Sequence, residues 1–193
     1  MNPRGNRQQP ASLAIALILG AVMAATRFNH FGSPMNLPDA SLAIFFLAGL
    51  YLARSIWFPI FIVEAGLMDW VSVAGGVSDW CVTAAYGFLI PTYAALWFSG
   101  RWYRRHARTE WRTLIPLFSA LGLSLVFAFA ISNGSFYLFS GYFTELGWSD
   151  YIRSVIGYFP AYAGYAFMYT MMALCVHATV LALPNRRRRV SGA

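Results

Sequence analysis

The apolar residues of this chain come in long runs, and this pattern constrains the fold more than any other feature. The runs do not follow the spacing of an amphipathic surface helix. Hydrophobic residues occupy 59% of the 193 positions and charged residues 11%, which is far from the composition of soluble proteins. A bilayer core about 30 Å thick requires roughly 20 apolar residues per helix. We therefore predict a single all-α integral membrane domain over residues 1–193.

Helix-breaking residues and charges divide the runs into six predicted spans, at about 11–26, 39–53, 56–68, 80–98, 113–131 and 160–183. The run 39–68 is divided at Arg54, because an unpaired Arg at the bilayer centre would be costly. Outer loops are predicted at 27–38, 69–79 and 132–159. The last is long and aromatic, so it should contain an interfacial helix or lid at about 150–158. The first run also fits a signal peptide, and that alternative stays open.

The arginines predict the orientation of the chain, since all 14 basic residues are Arg. With six spans, twelve of them lie on the side of the two termini, and only Arg27 and Arg153 lie on the other side. An excess of positive charge marks cytoplasmic segments, so both termini are predicted to be cytoplasmic. The basic charge thus reflects topology, and we expect no nucleic-acid partner.

Cys81 is the candidate ligand-binding residue. It follows the Gly75-Gly76 loop in the stretch DWVSVAGGVSDWCVTAAY (69–86) and begins the fourth predicted span. The first turn of a helix favours thiolate. Asp79 is the expected N-cap, although a nearby carboxylate raises the pKa of a thiol. The alternative is that Cys81 is a small packed hydrophobe.

A thiolate at Cys81 would suit a late transition metal. One protein ligand binds a free ion weakly, so the metal should arrive inside a macrocycle such as haem or a cobalt corrin. The histidines His30, His106 and His177 fall at different depths, which argues against a paired-histidine haem site. His177 is expected to be a hydrogen-bonded polar residue between helices. Cys175 lies deep in the last run, so a disulfide to Cys81 is not expected.

Other polar and aromatic residues are predicted at the same outer level and could border a substrate rich in amides and hydroxyls. They are Arg27, His30, Asp69, Asp79, Tyr86, Glu145, Asp150 and Arg153, with Trp70, Trp80 and Trp148. The tryptophans also fit an interfacial aromatic belt.

Small residues recur every four positions in the first span. Ala16, Gly20 and Ala24 form one row, and Ala21 and Ala25 form another. Such rows let a second helix approach closely inside a bilayer. The alternative is that alanine is simply common in membrane helices.

The six-helix plan, the alanine-rich first span and the outward cysteine in VSDWCVTAAY resemble the BtuM family of solitary S components of energy-coupling factor transporters. The resemblance implies an S-component fold in a bacterial inner membrane and a cobalamin or cobinamide substrate in the base-off form. It implies that Cys81 coordinates the corrin cobalt and acts in thiol-dependent decyanation of cyanocobalamin, without a free metal ion.

The resemblance also implies companion site residues at Asp69, Tyr86 and Arg153, and Asp79 is added because it neighbours Cys81. It implies that Ala21 and Ala25 dock a shared coupling subunit, which works with ATPases. The chain has no Gly-x-x-x-x-Gly-Lys loop, so any ATP use would come from such partners.

Two other functions stay open at this point. The protein could be a membrane accessory or assembly protein without a small-molecule site, in which Cys81 only packs and the outer aromatic residues contact a partner chain. A membrane thiol-disulfide enzyme is disfavoured, because no second cysteine lies near Cys81 in the sequence.

Overall fold

The computed structural model describes residues 3–27, 37–106 and 114–190. Over these ranges the chain forms seven α-helices and one 3₁₀ helix, and no strand. The elements are α1 (Pro3–Arg27), α2 (Ser41–Tyr51), α3 (Trp57–Ala74), the 3₁₀ helix (Ala84–Phe88), α4 (Leu89–His106), α5 (Leu114–Phe139), α6 (Trp148–Ile156) and α7 (Phe159–Val190). The prediction of an all-α fold is confirmed.

Within the described part of the chain, three helices are long and apolar enough to cross a membrane: α3, α5 and the segment Phe159–Ala182 of α7. The segment Ala11–Arg27 of α1 and the whole of α2 are apolar but shorter. The 11 residues of α2 extend over only about 16 Å. The structure therefore has the character of a helical membrane protein, and the count of six spans stays a prediction.

Helix α2 lies at the centre of the fold and packs most closely against α4. Two glycines make this approach possible. A Cβ added at Gly49 would overlap the carbonyl oxygen of Trp97, and one added at Gly100 would overlap that of Phe46. The two backbones are therefore in contact, and any larger side chain at either glycine would force the helices apart.

Aromatic side chains fill the core around this contact. Phe45 of α2 is completely buried and stacks on Tyr93 of α4, with ring centroids 4.2 Å apart. Phe58 of α3 meets Trp97 edge to face at 5.5 Å. Such pairs contribute about 0.5–1.5 kcal/mol beyond their buried area, so they help to fix α3 and α4 against α2.

The observed helix boundaries correct several expected ones. The span expected at 80–98 begins at Leu89, and residues 75–83 form turns and irregular structure. The loop expected at 69–79 begins after Ala74, which places Asp69 inside α3. Arg27, expected in a loop, is the last residue of α1. The loop expected at 132–159 is shortened because α5 continues to Phe139.

Proline explains where four helices begin. Pro59, Pro91, Pro116 and Pro160 all lie within the first three residues of α3, α4, α5 and α7. A proline in the first turn loses no intrahelical hydrogen bond, because the first backbone N–H groups of a helix have no intrahelical acceptor. Pro91 therefore favours a start at Leu89 rather than at Trp80.

Candidate functional site

A cavity of about 310 Å³ opens at the end of the fold where α1, α3 and α5 finish and α2 and α4 begin. One wall carries charged and phenolic side chains, another wall belongs to α5, and Trp80 and Cys81 lie at the mouth. The break at residues 52–56, which contains Arg54, lies at the opposite ends of α2 and α3. The helices therefore gather the polar side chains of distant segments at one end.

Arg27 organises the charged wall, and only 7% of it is exposed. Its Nε and Nη2 each donate to a different oxygen of Asp69 at 2.6 Å. Its Nη1 donates to Ser41 Oγ at 2.9 Å and to Tyr93 OH at 2.7 Å, and it lies 3.6 Å from Asp39. Buried charge requires this degree of pairing. Arg27 thus fixes α1, α2, α3 and α4 at the cavity.

Asp39 holds the start of α2 and adds a second carboxylate to this wall. Its Oδ1 accepts hydrogen bonds from the Ser41 N–H at 2.9 Å and from Ser41 Oγ at 2.6 Å. With Asp69 it provides two carboxylates against the single guanidinium of Arg27. The wall therefore keeps one net negative charge when both acids are ionised.

Tyr86 connects this network to the segment that carries Cys81. The hydroxyl of Tyr86, in the 3₁₀ helix, donates to Asp69 Oδ2 at 2.7 Å. Burial and this hydrogen bond raise the pKa of Tyr86 well above its usual value, so the phenol stays protonated and can donate. Asp69 therefore receives hydrogen bonds from both α1 and the 3₁₀ helix.

Cys81 is exposed at the mouth of the cavity. It lies in a turn in which Val82 N–H donates to Asp79 O at 2.7 Å, three residues before the 3₁₀ helix. The expectation that Cys81 occupies the first turn of a helix is therefore wrong. The expected N-cap is also wrong, because Thr83 caps the 3₁₀ helix by accepting from Ala85 N–H.

The surroundings of Cys81 favour the protonated thiol. Neighbouring atoms remove part of its water, and the charge of Asp69 opposes a thiolate, so the pKa of Cys81 is raised. This direction is the reverse of the one expected from a helix N-terminus. A metal that binds the sulfur must therefore displace a proton.

The α5 wall is neutral and polar. Ser132, Asn133 and Ser135 face the cavity together with the ring of Phe136. The side-chain amide of Asn133 donates to Phe129 O at 3.0 Å, and the backbone carbonyl of Asn133 accepts from Tyr151 OH at 3.0 Å. The bond from Tyr151 holds the α5 wall against α6. The side chains of Ser132, Asn133 and Ser135 give this wall groups that can hydrogen-bond to amides.

An aromatic stack closes part of the mouth. The ring of Trp80 lies parallel to that of Tyr142, with centroids 3.8 Å apart. Trp80 also approaches Phe136 at 6.4 Å. The stack ties the segment of Cys81 to the loop between α5 and α6, so it sets how widely the cavity opens.

No protein-family model and no curated protein matches this chain. The interpretation of the site therefore depends on its own geometry and chemistry.

Of Cys81 and its expected companion residues, Asp69, Cys81 and Tyr86 line the cavity. Arg27 and Trp80, which belong to the wider set expected at the outer level, line it as well. Asp79 is exposed and lies outside the lining. Arg153 is 81% exposed on α6, where it pairs with Asp150 at 3.6 Å. Neither residue contributes to the cavity walls.

The remaining expected residues have varied positions. Ala21 and Ala25 are exposed on α1, whereas Ala16 of the neighbouring row is buried. His177, expected to be hydrogen-bonded between helices, stacks on Tyr51 at 5.4 Å. His30 lies outside the described residues. Both Cys81 and Cys175 are free thiols.

Sequence reasoning missed Asp39, Tyr93 and the α5 wall as parts of the site. Tyr93 could have been found as a polar residue inside a predicted span. The α5 wall could have been found from the S-N-x-S pattern that follows an apolar run, which comprises Ser132, Asn133 and Ser135. Their meeting with Arg27 and Cys81 depends on helix packing, which no local pattern encodes.

The donor set suits an axial ligand better than a metal cage. Over the described residues, no three His, Cys, Asp or Glu side chains lie close enough together to hold a metal ion. Cys81 can offer a single sulfur ligand at the mouth of a polar cavity. That arrangement can bind a metal whose other positions are already filled by a macrocycle.

Proposed function

We propose that this protein binds a corrinoid at the cavity and serves as the substrate-binding subunit of a bacterial inner-membrane uptake system. The observation that carries the proposal is the exposed sulfur of Cys81 at the mouth of a cavity lined by hydrogen-bonding side chains. A soft thiolate suits cobalt. The chain would cross the membrane six times, with both termini in the cytoplasm.

The size of the cavity determines how the substrate would sit. At about 310 Å³ it lies at the lower end of small-molecule pockets, so a corrin ring would lie across the mouth instead of entering fully. The lower axial face of the cobalt would then meet Cys81, which requires the nucleotide base of cobalamin to be released. Cobinamide, which lacks this base, would bind without that step.

The walls offer partners for the rim of the corrin. Its amide side chains could exchange hydrogen bonds with Asn133, Ser132 and Ser135 on the α5 wall. The stacked rings of Trp80 and Tyr142 would provide apolar contact at the edge of the macrocycle. Asp69 and Tyr86 act below the mouth, where they position the segment that carries Cys81.

The same site could support decyanation of cyanocobalamin. Donation from the Cys81 thiolate to cobalt would weaken the Co–CN bond on the opposite face. An external thiol must supply the electrons, because two thiols that form one disulfide release two electrons and two protons. The two electrons reduce two Co(III) centres to Co(II), and the two protons combine with the two released cyanides to form HCN. Cys81 is regenerated as a thiolate ligand and is not consumed.

Uptake would require partners for energy. The exposed Ala21 and Ala25 of α1 would accept a helix of a shared coupling subunit by close approach of small residues. ATPases attached to that subunit would drive release of the substrate on the cytoplasmic side.

The decisive experiment is the visible spectrum of the purified protein with cyanocobalamin or cobinamide. Parent protein should give a thiolate-ligated corrin spectrum, and Cys81→Ala should lose it. Cys175→Ala is the matched control, because Cys175 is also an exposed free cysteine but lies away from the cavity lining. Equal spectra and equal affinities for Cys81→Ala and the parent would refute cobalt ligation.

A second candidate, a membrane assembly protein, is favoured by one observation. Trp80 and Tyr142 expose large aromatic surfaces at the same end of the fold, where a partner chain could cover them. This function predicts that corrinoids neither bind nor raise the thermal stability of the protein. It also predicts that Cys81→Ser has no effect on cobalamin-dependent growth.

A further inference from the structure

Glu64 occupies an unusual position in the middle of α3. It is the eighth of 18 residues in that helix, so it lies about 10 Å from the helix start and about 15 Å from its end. The helix is one of the three with the length and hydropathy of a membrane span. Its carboxylate is therefore placed within the depth of the hydrocarbon core.

The carboxylate of Glu64 lies in the seam between α1 and α3. A Cβ added at Gly20 would be 3.0 Å from Glu64 Oε2 and 3.3 Å from Oε1. Gly20 therefore leaves the space in which the carboxylate rests. Glu64 is only partly buried, so one side of it faces outward between the two helices.

Glu64 differs from the other acids in this part of the fold. Asp69, five residues later on the same helix, receives two hydrogen bonds from Arg27 and one from Tyr86. Asp39 receives two from Ser41. Among the described residues, Glu64 has no hydrogen bond and no ion pair.

An ionisable group at this depth is costly and normally pairs with another group. The surrounding surface is apolar, with Leu17 of α1 and Ile60 and Leu67 of α3 all exposed. Exposed leucine and isoleucine side chains fit contact with lipid and contact with a partner helix equally well, so they do not show which of the two covers this surface. The carboxylate does distinguish them, because hydrocarbon chains cannot donate a hydrogen bond to it.

We propose that the seam between α1 and α3 at Glu64 is the docking site for a transmembrane helix of a second protein that carries an arginine or lysine at mid-membrane depth. Charge complementarity selects this occupant, because the cation pairs with the partly buried carboxylate of Glu64 and the rest of the helix covers Leu17 and Leu67. The docking site is separate from the cavity and does not depend on what the cavity binds.

The test uses two synthetic transmembrane peptides in lipid vesicles, a leucine-alanine helix with one central arginine and the same helix with leucine at that position. The full-length protein carries a donor dye at Cys175, which is exposed on α7 outside the seam, in a background in which Cys81 is replaced by serine. Energy transfer to a dye on the peptide reports docking. We expect the arginine peptide to bind roughly five- to thirtyfold more tightly than the leucine peptide.

Three variants sharpen the result. Glu64→Gln, which keeps the shape of the side chain, should reduce binding of the arginine peptide to the level of the leucine peptide. The pair Val63→Glu with Glu64→Val moves the carboxylate to the neighbouring helical position and should have the same effect. Glu145→Gln, an acid of the α5–α6 loop, is the matched control and should bind as the parent does.

Several results would overturn the proposal. Equal binding of the two peptides would show that the arginine is not recognised. Unchanged binding by Glu64→Gln would show that Glu64 is not the contact. Glu64-dependent pairing of the protein with itself, seen as energy transfer between two labelled copies without peptide, would make a second copy the occupant instead.

Discussion

Arg27 and Asp69 are 42 positions apart in the sequence, yet two nitrogens of Arg27 bind the two carboxylate oxygens of Asp69 at 2.6 Å each. This bidentate geometry is the strongest arrangement of a guanidinium and a carboxylate. It joins the end of α1 to α3 directly beneath the cavity. Because Tyr86 also donates to Asp69, one carboxylate holds both the charged wall and the segment of Cys81.

Asp69→Asn should destabilise the protein strongly. The substitution keeps the shape of the side chain but leaves Arg27 buried, with Asp39 at 3.6 Å as its remaining acidic neighbour. Breaking a buried pair by removing one partner costs about 3–5 kcal/mol. The free energy of unfolding in detergent, measured by denaturant titration, should fall by this amount.

Asp150→Asn is the matched control for that experiment. Asp150 pairs with Arg153, but both side chains are well exposed, and exposed pairs contribute about 0–1 kcal/mol. An equally small loss of stability in Asp69→Asn would mean that the Arg27 network does not hold the helices together.

Gly49→Ala should separate α2 from α4. The new methyl group would overlap the carbonyl oxygen of Trp97, and that oxygen belongs to a helix backbone that cannot rotate away. Overpacking of this kind costs about 1–3 kcal/mol, and the thermal midpoint should fall. Gly66→Ala is the control, since Gly66 has open space around it and alanine favours the helix by about 1 kcal/mol. If Gly49→Ala leaves the thermal midpoint unchanged, the backbones of α2 and α4 are not in contact at this position.

The membrane character and the helix order were predictable from sequence, because apolar runs and their interruptions report them directly. The break near Arg54 and the short helix after Gly147 were expected from charge and aromatic content, and both have counterparts in the structure. Helix ends were harder to predict. Tyr86 was placed inside a long span because its neighbours are apolar, although Pro91 marks the start of α4.

Of the site, the sequence indicated Cys81, Asp69 and Tyr86 but not what they contact. Arg27 was expected to face the substrate, whereas its donors are occupied by Asp69, Ser41 and Tyr93. Such pairing depends on how α1, α3 and α4 pack, and it joins residues up to 66 positions apart. Arg153 is an arginine like Arg27, yet it lies outside the cavity because it is on an exposed face of α6.

The raised pKa of Cys81 predicts a pH dependence for binding. Partial burial and then the charge of Asp69 keep the thiol protonated at neutral pH, so each cobalt bound by the thiolate releases one proton. Affinity should therefore rise about tenfold per pH unit between about pH 6 and pH 7.5, below the ordinary pKa of a cysteine. Calorimetric titration with cobinamide at several pH values measures this change in affinity. Residual binding by Cys81→Ala should not change with pH, and a flat profile in the parent would contradict thiolate ligation.

The stack of Trp80 on Tyr142 should control access to Cys81. An aromatic pair contributes about 0.5–1.5 kcal/mol, so Tyr142→Leu should increase opening of the mouth, and with it the rate at which iodoacetamide alkylates Cys81, by roughly two- to tenfold. Mass spectrometry of the labelled peptide measures this rate. Tyr158→Leu is the control, because Tyr158 is exposed and lies outside the cavity. An unchanged rate in Tyr142→Leu would mean that Cys81 is equally accessible with the two rings apart, so the stack would not act as a gate.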